Sequence, residues 1–173
     1  MAGIYIHIPF CKQICHYCDF YKTATLRNIE PFLFALIKEI ELKSSFIDDK
    51  IETIYFGGGT PSVLNDYQIA TIFAHLSKYF DLSDLIESTI EVNPDDLNKN
   101  TLKRLKFSGF NRISIGVQSF NDDILKFLNR RHNAKDAIES IDHRRTEADL
   151  HHPATPEAVL MAVEDLKRRI PRT

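Results

Sequence analysis

Apolar and polar residues switch repeatedly between two periods along this chain, and the switching predicts four strand–helix units in succession. Residues 3–8 form a short alternating apolar run, read as a first strand, and residues 9–20 follow as a loop. Leu33, Leu36, Ile37 and Ile40 recur at the i, i+3, i+4, i+7 spacing of an amphipathic helix over 30–43, with Pro31 near its start. Ile51 to Phe56 reads as a second strand ended by Gly57-Gly58-Gly59-Thr60-Pro61, and Ile69, Ile72, Phe73 and Leu76 mark a helix over 66–79. A third strand is expected at Thr89 to Asn93, then a helix over 100–107 stopped by Gly109, a C-cap candidate. Arg112 to Val117 reads as the fourth strand, and helical patterns resume at 122–128 and 134–141.

Each unit has the length of a parallel crossover, so the expected fold is α/β, a parallel sheet or barrel. In such folds ligands gather at the carboxyl ends of the strands. The unusual residues fall there each time. Cysteines follow the first strand and three glycines the second, Glu91 and Asn93 end the third, and Gln118 follows the fourth.

Composition narrows the class without naming a function. A chain of 173 residues, 43% hydrophobic, is one domain or one domain with an appendage. A net charge of −2 and a pI near 6.4 give no electrostatic footprint for nucleic acid or an anionic membrane. No apolar run approaches the roughly 20 residues of a spanning helix, and no signal peptide is expected, because the first strand leads at once into the cysteines. Unpaired cysteines are expected in a reducing cytoplasm.

All three cysteines, Cys11, Cys15 and Cys18, lie within eight residues at C-x3-C-x2-C spacing. Three thiolates on one tight loop can hold three corners of an iron–sulfur cube, which normally takes four. The fourth iron would stay open for an exogenous ligand, and S-adenosylmethionine is the expected one, chelating through its amino and carboxylate groups. A disulfide would leave one thiol over and strain the loop. A structural zinc could instead recruit His16 or His7 as a fourth ligand, although two-pair zinc spacing is absent.

Gly57-Gly58-Gly59-Thr60 offers backbone that can approach a ligand closely with its amide hydrogens exposed. It is neither a Walker loop nor a dinucleotide fingerprint, and a tight strand–helix turn is the plainer alternative. Glu91, at the end of an apolar strand, either accepts hydrogen bonds from ribose hydroxyls or a ligand amine, or pairs with an arginine or a backbone amide. Gln118 and Arg130 are ligand groups or ordinary surface residues, and His75 is read as structural.

Taken together, Tyr5-Ile-His-Ile-Pro-Phe-Cys11 through Phe20, Tyr55-Phe-Gly-Gly-Gly-Thr-Pro-Ser62, Glu91-Val-Asn-Pro94, Arg112-Ile-Ser-Ile-Gly-Val-Gln-Ser-Phe120 and Asn129-Arg-Arg-His132 resemble the radical SAM family of oxygen-independent coproporphyrinogen III oxidases. Within it they most resemble the haem chaperone branch, HemW. The resemblance covers residues 3–141 and implies the first four units of a partial (β/α)6 barrel. It implies a [4Fe–4S] cluster on Cys11, Cys15 and Cys18, with Tyr5, Tyr17, Gly58, Gly59, Thr60, Glu91, Gln118 and Arg130 in contact with S-adenosylmethionine. The family chemistry is reductive cleavage of that sulfonium to methionine and a 5′-deoxyadenosyl radical, with the protein supplying ligands, orientation and exclusion of water. The decarboxylating oxidases carry a further cysteine where this chain has Phe20, and an extension before the Tyr-x-His-x-Pro motif. Both departures favour the chaperone branch, whose implied role is to bind haem or porphyrin and pass it to an acceptor protein.

Past residue 141 the resemblance stops. Residues 1–141 hold 11 Lys, 5 Arg and nine Asn, whereas 142–173 hold 1 Lys, 5 Arg and no Asn. The second segment is therefore expected to be foreign to the family. It is read as a linker and then a helix over about 155–169, opened by Thr155 and Pro156, with Val159, Ala162, Val163, Leu166 and Ile170 on one face. His143, His151 and His152 could ligate a metal or haem, against the plainer reading of an incidental polar segment. Four parallel strands without a fifth leave an unpaired edge, so self-association through it is expected.

Overall fold

The computed structural model describes residues 2–146, and a parallel sheet with helices between its strands accounts for them. In chain order the elements are β1 (Ala2–Ile8), α1 (Ile29–Leu42), β2 (Ile51–Gly58), α2 (Asp66–Tyr79), β3 (Glu87–Val92), α3 (Lys99–Phe107), β4 (Arg112–Ile115), α4 (Asp122–Phe127) and α5 (Ala134–Thr146). The strands run β1-β2-β3-β4 across one sheet, every pair parallel. This order agrees with the expected first four units of a partial (β/α)6 barrel.

Each strand divides its residues between two environments, as the pleat requires. Ile6, Ile8, Ile54, Phe56, Ile90 and Val92 share the core with Leu33, Leu36 and Ile40 of α1 and Ile69, Ile72, Phe73 and Leu76 of α2. Phe56, Phe73 and Phe110 meet in a ring cluster with centroids 5.1–5.4 Å apart. The other face carries Tyr5, His7, Tyr55, Glu91 and Ser114, whose register sets Tyr5 beside Tyr55 and Glu91 beside Ser114.

Helix ends follow their local chemistry. Asn65 and Gln68 form a capping box at α2. At the end of α3, Gly109 takes φ +100°, with Gly109 N donating to Lys106 O at 3.0 Å and Phe110 N to Leu105 O at 3.2 Å, a Schellman closure.

Several element ends differ from expectation. The glycines do not stop β2: Gly57 and Gly58 continue it, paired with His7 and Ile8. A glycine can stay in a ladder when a neighbouring strand satisfies its backbone. β4 stops at Ile115, short of Val117, because Val117 N turns back to Ile115 O at 3.0 Å. Helix α5 runs on to Thr146, past the end of the 134–141 pattern. The expected linker and helix over about 155–169, with His151 and His152, lie outside the described residues. No described helix is long and apolar enough to cross a membrane.

Candidate functional site

The cysteine loop is fastened at both ends and from the side. Cys11 N donates to Thr23 O at 2.9 Å and Thr23 N to Pro9 O at 2.7 Å, closing the loop on itself. The glycine segment holds its base: Gly59 N donates to Ile8 O and Thr60 N to Phe10 O, both at 2.8 Å. The end of α4 holds its flank. Asn129, in the left-handed region at φ +57°, donates from Nδ2 to Ile14 O at 2.7 Å, and Gln13 Nε2 donates to Asn129 O and Oδ1 at 2.8 and 2.9 Å. His16 N donates to Leu128 O at 3.1 Å.

These bonds correct one expectation. The amide hydrogens of Gly58, Gly59 and Thr60 do not face a ligand, because Gly58 N donates to Glu91 Oε2 at 3.0 Å and the other two bind the loop. The glycines are needed for close approach of backbone to backbone. A Cβ on Gly59 would lie 2.7 Å from Phe10 O and 2.9 Å from Ile8 O, and Gly58 takes φ +109°.

Over the loop opens a cleft of about 390 Å³. It is lined by Cys11, Cys15, Tyr17, Cys18, Gly58, Gly59, Thr60, Glu91, Gln118 and Arg130, so every residue expected at the site is present except Tyr5. Tyr5 sits further back on β1, its ring stacked on Tyr55 at 5.9 Å and its hydroxyl 3.1 Å from His7 Nδ1. Sequence reading did not assign Gln13, Lys22, Asn93, Ser114 and Gly116 to the site, although they line the same cleft. Asn93 was legible as a polar strand end; Ser114 and Gly116 carry no signal beyond their place near the end of β4.

The electrostatics centre on Arg130. It follows the Schellman closure of α4, with Arg130 N donating to Leu125 O at 2.9 Å, which aims its side chain back over the cysteines. NH1 donates to Cys15 Sγ at 3.3 Å and to Tyr17 OH at 3.4 Å, while NH2 donates to Asn93 Oδ1 and Gly116 O, both at 2.7 Å. Its Nε is buried with no protein partner. Burial pushes the Cys11 thiol up; a hydrogen bond with the Thr60 side chain works against that, the neighbouring Cys18 and Cys15 add to it, and Lys22 opposes it. Burial likewise raises Tyr17, with Arg130 opposing. Glu91 accepts from Tyr55 OH at 2.7 Å as well as from Gly58, so it has protein partners and still lines the cleft, where its remaining lone pairs are available.

At Gln118 the backbone is strained. Gln118 takes φ +64° at the centre of a γ-turn, Ser119 N donating to Val117 O at 2.8 Å. His132 Nε2 meets the same carbonyl at 2.9 Å from beneath.

The three cysteines are free, and among the described residues no three His, Cys, Asp or Glu side chains converge on a point for one metal ion. The histidines considered for zinc are engaged elsewhere: His7 Nε2 with Tyr21 O at 3.0 Å, and His16 Nδ1 with Phe127 O at 2.9 Å. His75 Nδ1 meets Thr71 O within its own helix at 2.8 Å, as a structural residue would.

Comparison with known proteins places this geometry among relatives. The model of the Radical SAM superfamily matches residues 5–173, a span that includes the segment after 141. The haem chaperone HemW of Lactococcus lactis is 43% identical over 139 residues, covering 80% of this chain and 36% of the relative. The HemW of Bacillus subtilis is 41% identical over 148 residues, covering 84% and 39%. Among solved structures, the Escherichia coli coproporphyrinogen III oxidase HemN, a radical SAM enzyme, superposes with a TM-score of 0.74 at 33% identity, over 83% of this chain and 34% of that one. The chain thus spans little more than a third of the length of these relatives.

Proposed function

This chain belongs to the radical SAM superfamily, and we propose that it binds a [4Fe–4S] cluster and S-adenosylmethionine as a protein of the haem chaperone, HemW, type. The observation that carries the reading is the shared cleft, in which thiols from β1's loop meet polar groups from the ends of β2, β3 and β4 and from Arg130. Cys11, Cys15 and Cys18 would each hold one iron, leaving the fourth for the sulfonium's amino and carboxylate groups. A structural zinc would need a fourth ligand beside the three thiolates, whereas three thiolates on one loop suffice for three of the four irons of a cube.

The residues fit the organic ligand too. A cleft of about 390 Å³ lies within the range of about 300–1,000 Å³ usual for small-molecule sites. The buried, unpartnered Nε of Arg130 and its fixed charge favour a carboxylate. Tyr17, Thr60, Glu91 and Gln118 supply further donors and acceptors, Gly58 and Gly59 let the rim close in, and Tyr5 acts from outside the cleft by stacking on Tyr55. When bound, the cluster and the sulfonium supply reductive cleavage chemistry. Haem or porphyrin is the proposed cargo, supported by the names of the chaperone relatives and by Phe20, an exposed aromatic on the cleft lining suited to an apolar macrocycle. Delivery to an acceptor protein, a cytoplasmic setting and self-association through the open edge of β4 belong to the same reading.

A second reading, oxygen-independent coproporphyrinogen III oxidase, is favoured by the superposition on the Escherichia coli enzyme. Phe20 in place of a further cysteine stands against it. Electron paramagnetic resonance on anaerobically reconstituted, dithionite-reduced protein tests the cofactor reading. A [4Fe–4S]⁺ signal that changes on adding S-adenosylmethionine is the expected result; no iron, or zinc instead, would overturn it. Haem titration followed by absorbance, beside a coproporphyrinogen consumption assay, separates chaperone from oxidase.

A further inference from the structure

We propose that Asn93 is a positioning residue of this site, whose side-chain amide fixes the direction of the hydrogen bonds that Arg130 and Thr60 present to the cleft. The inference rests on the cofactor reading above. Asn93 bridges the two: Arg130 NH2 donates to Asn93 Oδ1 at 2.7 Å, and Asn93 Nδ2 donates to Thr60 Oγ1 at 3.2 Å.

The polarity of this bridge follows from donor chemistry. A guanidinium has only donors, so the amide oxygen must face Arg130 and the amide nitrogen must face Thr60. The Thr60 oxygen then serves as acceptor, and its own proton is left to point away from Asn93. The Thr60 side chain lies beside Cys11, where it works against the upward push of burial on that thiol, while the other arm of Arg130 donates to Cys15 Sγ at 3.3 Å. One amide therefore holds both the guanidinium that donates to Cys15 and the hydroxyl beside Cys11. It also holds the guanidinium with its Nε directed away from protein partners. An asparagine at the end of β3 reaches both because Thr60 follows β2 and Arg130 follows α4, on either side of it.

Aspartate is the discriminating replacement. It has the same shape but only acceptors, so Asn93→Asp keeps Arg130 while drawing the Thr60 proton to itself. Its charge also occupies the guanidinium that a ligand carboxylate would meet. The expected results are normal iron loading and a rise of tenfold or more in the S-adenosylmethionine concentration that half-converts the cluster signal, of the order of one charge-assisted hydrogen bond. Thr60→Val should weaken binding too, and the double variant should be no worse than the poorer single, since both break one bridge. Asn93→Asp with unchanged affinity, or effects that add in full, would overturn the assignment.

Nuclear magnetic resonance on the metal-free protein reads the bridge without a cluster. A slowly exchanging Asn93 side-chain amide, shifted by Thr60→Val, is expected; a freely averaging amide overturns the proposal. A wild-type protein that loads no cluster would sink the cofactor reading, and the amide signal would still decide the role of Asn93.

Discussion

Arg130 NH1 lies 3.3 Å from Cys15 Sγ across a sequence separation of 115 residues. The contact exists because α4 ends against the cysteine loop, so that the turn after the helix points its first long side chain over the thiols. A cation beside a thiolate stabilises it, and a hydrogen bond to a cluster sulfur is one of the protein's means of setting a reduction potential.

Replacing Arg130 by lysine keeps the charge and loses the fork. One ammonium cannot reach Cys15, Asn93 and Gly116 O together as the guanidinium does. Arg130→Lys should still load iron, but should need about tenfold more S-adenosylmethionine to perturb the cluster signal. A titration indistinguishable from wild type would remove Arg130 from the binding site.

Gly59→Ala tests the seam between β2 and the cysteine loop. The added Cβ would meet backbone, Phe10 O at 2.7 Å and Ile8 O at 2.9 Å, and backbone cannot swing aside as a side-chain tip can. A loss of roughly 1–3 kcal/mol in urea unfolding is expected, the scale of overpacking, together with poorer iron retention.

Asn129→Gly separates backbone from side chain. Glycine adopts the left-handed conformation freely, so the turn after α4 should survive. The bonds of the side chain to Ile14 O and Gln13 would be lost. Global stability should fall by only about 1 kcal/mol, while amide exchange in residues 11–18 accelerates. Unchanged exchange there would mean that α4 does not brace the loop.

His132 predicts an acid-sensitive step. Burial lowers its pKa below the ordinary value of about 6.5, against a raising bond to Val117. Since a carbonyl only accepts, Nε2 carries the proton and Nδ1 is left buried without a partner. The unfolded chain takes up a proton more readily than the folded one. The stabilisation is therefore complete above about pH 6.5 and declines as pH falls from there toward the lowered folded value. In thermal melts, His132→Gln, which can still donate to Val117 O, should lose less stability than wild type between pH 7 and about pH 5.5. Equal losses would place the acid sensitivity elsewhere.

The order of elements was written in the sequence, and so was most of the site. Periodicity placed α2 at 66–79, where it is found, because a helix that buries one face must repeat its apolar residues every three or four positions. The cysteine spacing and the polar residues at successive strand ends marked the rim, since in a parallel sheet those ends necessarily lie side by side. The motifs added Tyr17, Thr60 and Arg130 to the lining by resemblance, but not Gln13, Lys22, Ser114 or Gly116. What stayed hidden depended on partners distant along the chain. The glycines read as a strand stop with free amides, but Glu91 takes up the Gly58 hydrogen, and β1 and its loop take those of Gly59 and Thr60. Tyr5 reads with the ligand residues, but its position on the pleat sets it beside Tyr55, behind the cleft. Asn93 was visible as a polar strand end, yet its place between Thr60 and Arg130 is a product of three elements meeting. Local sequence determines which face a side chain takes and where an element ends. Only the packed fold decides which donor meets which acceptor, because that choice is made by groups tens of residues away that must each be satisfied once water is excluded.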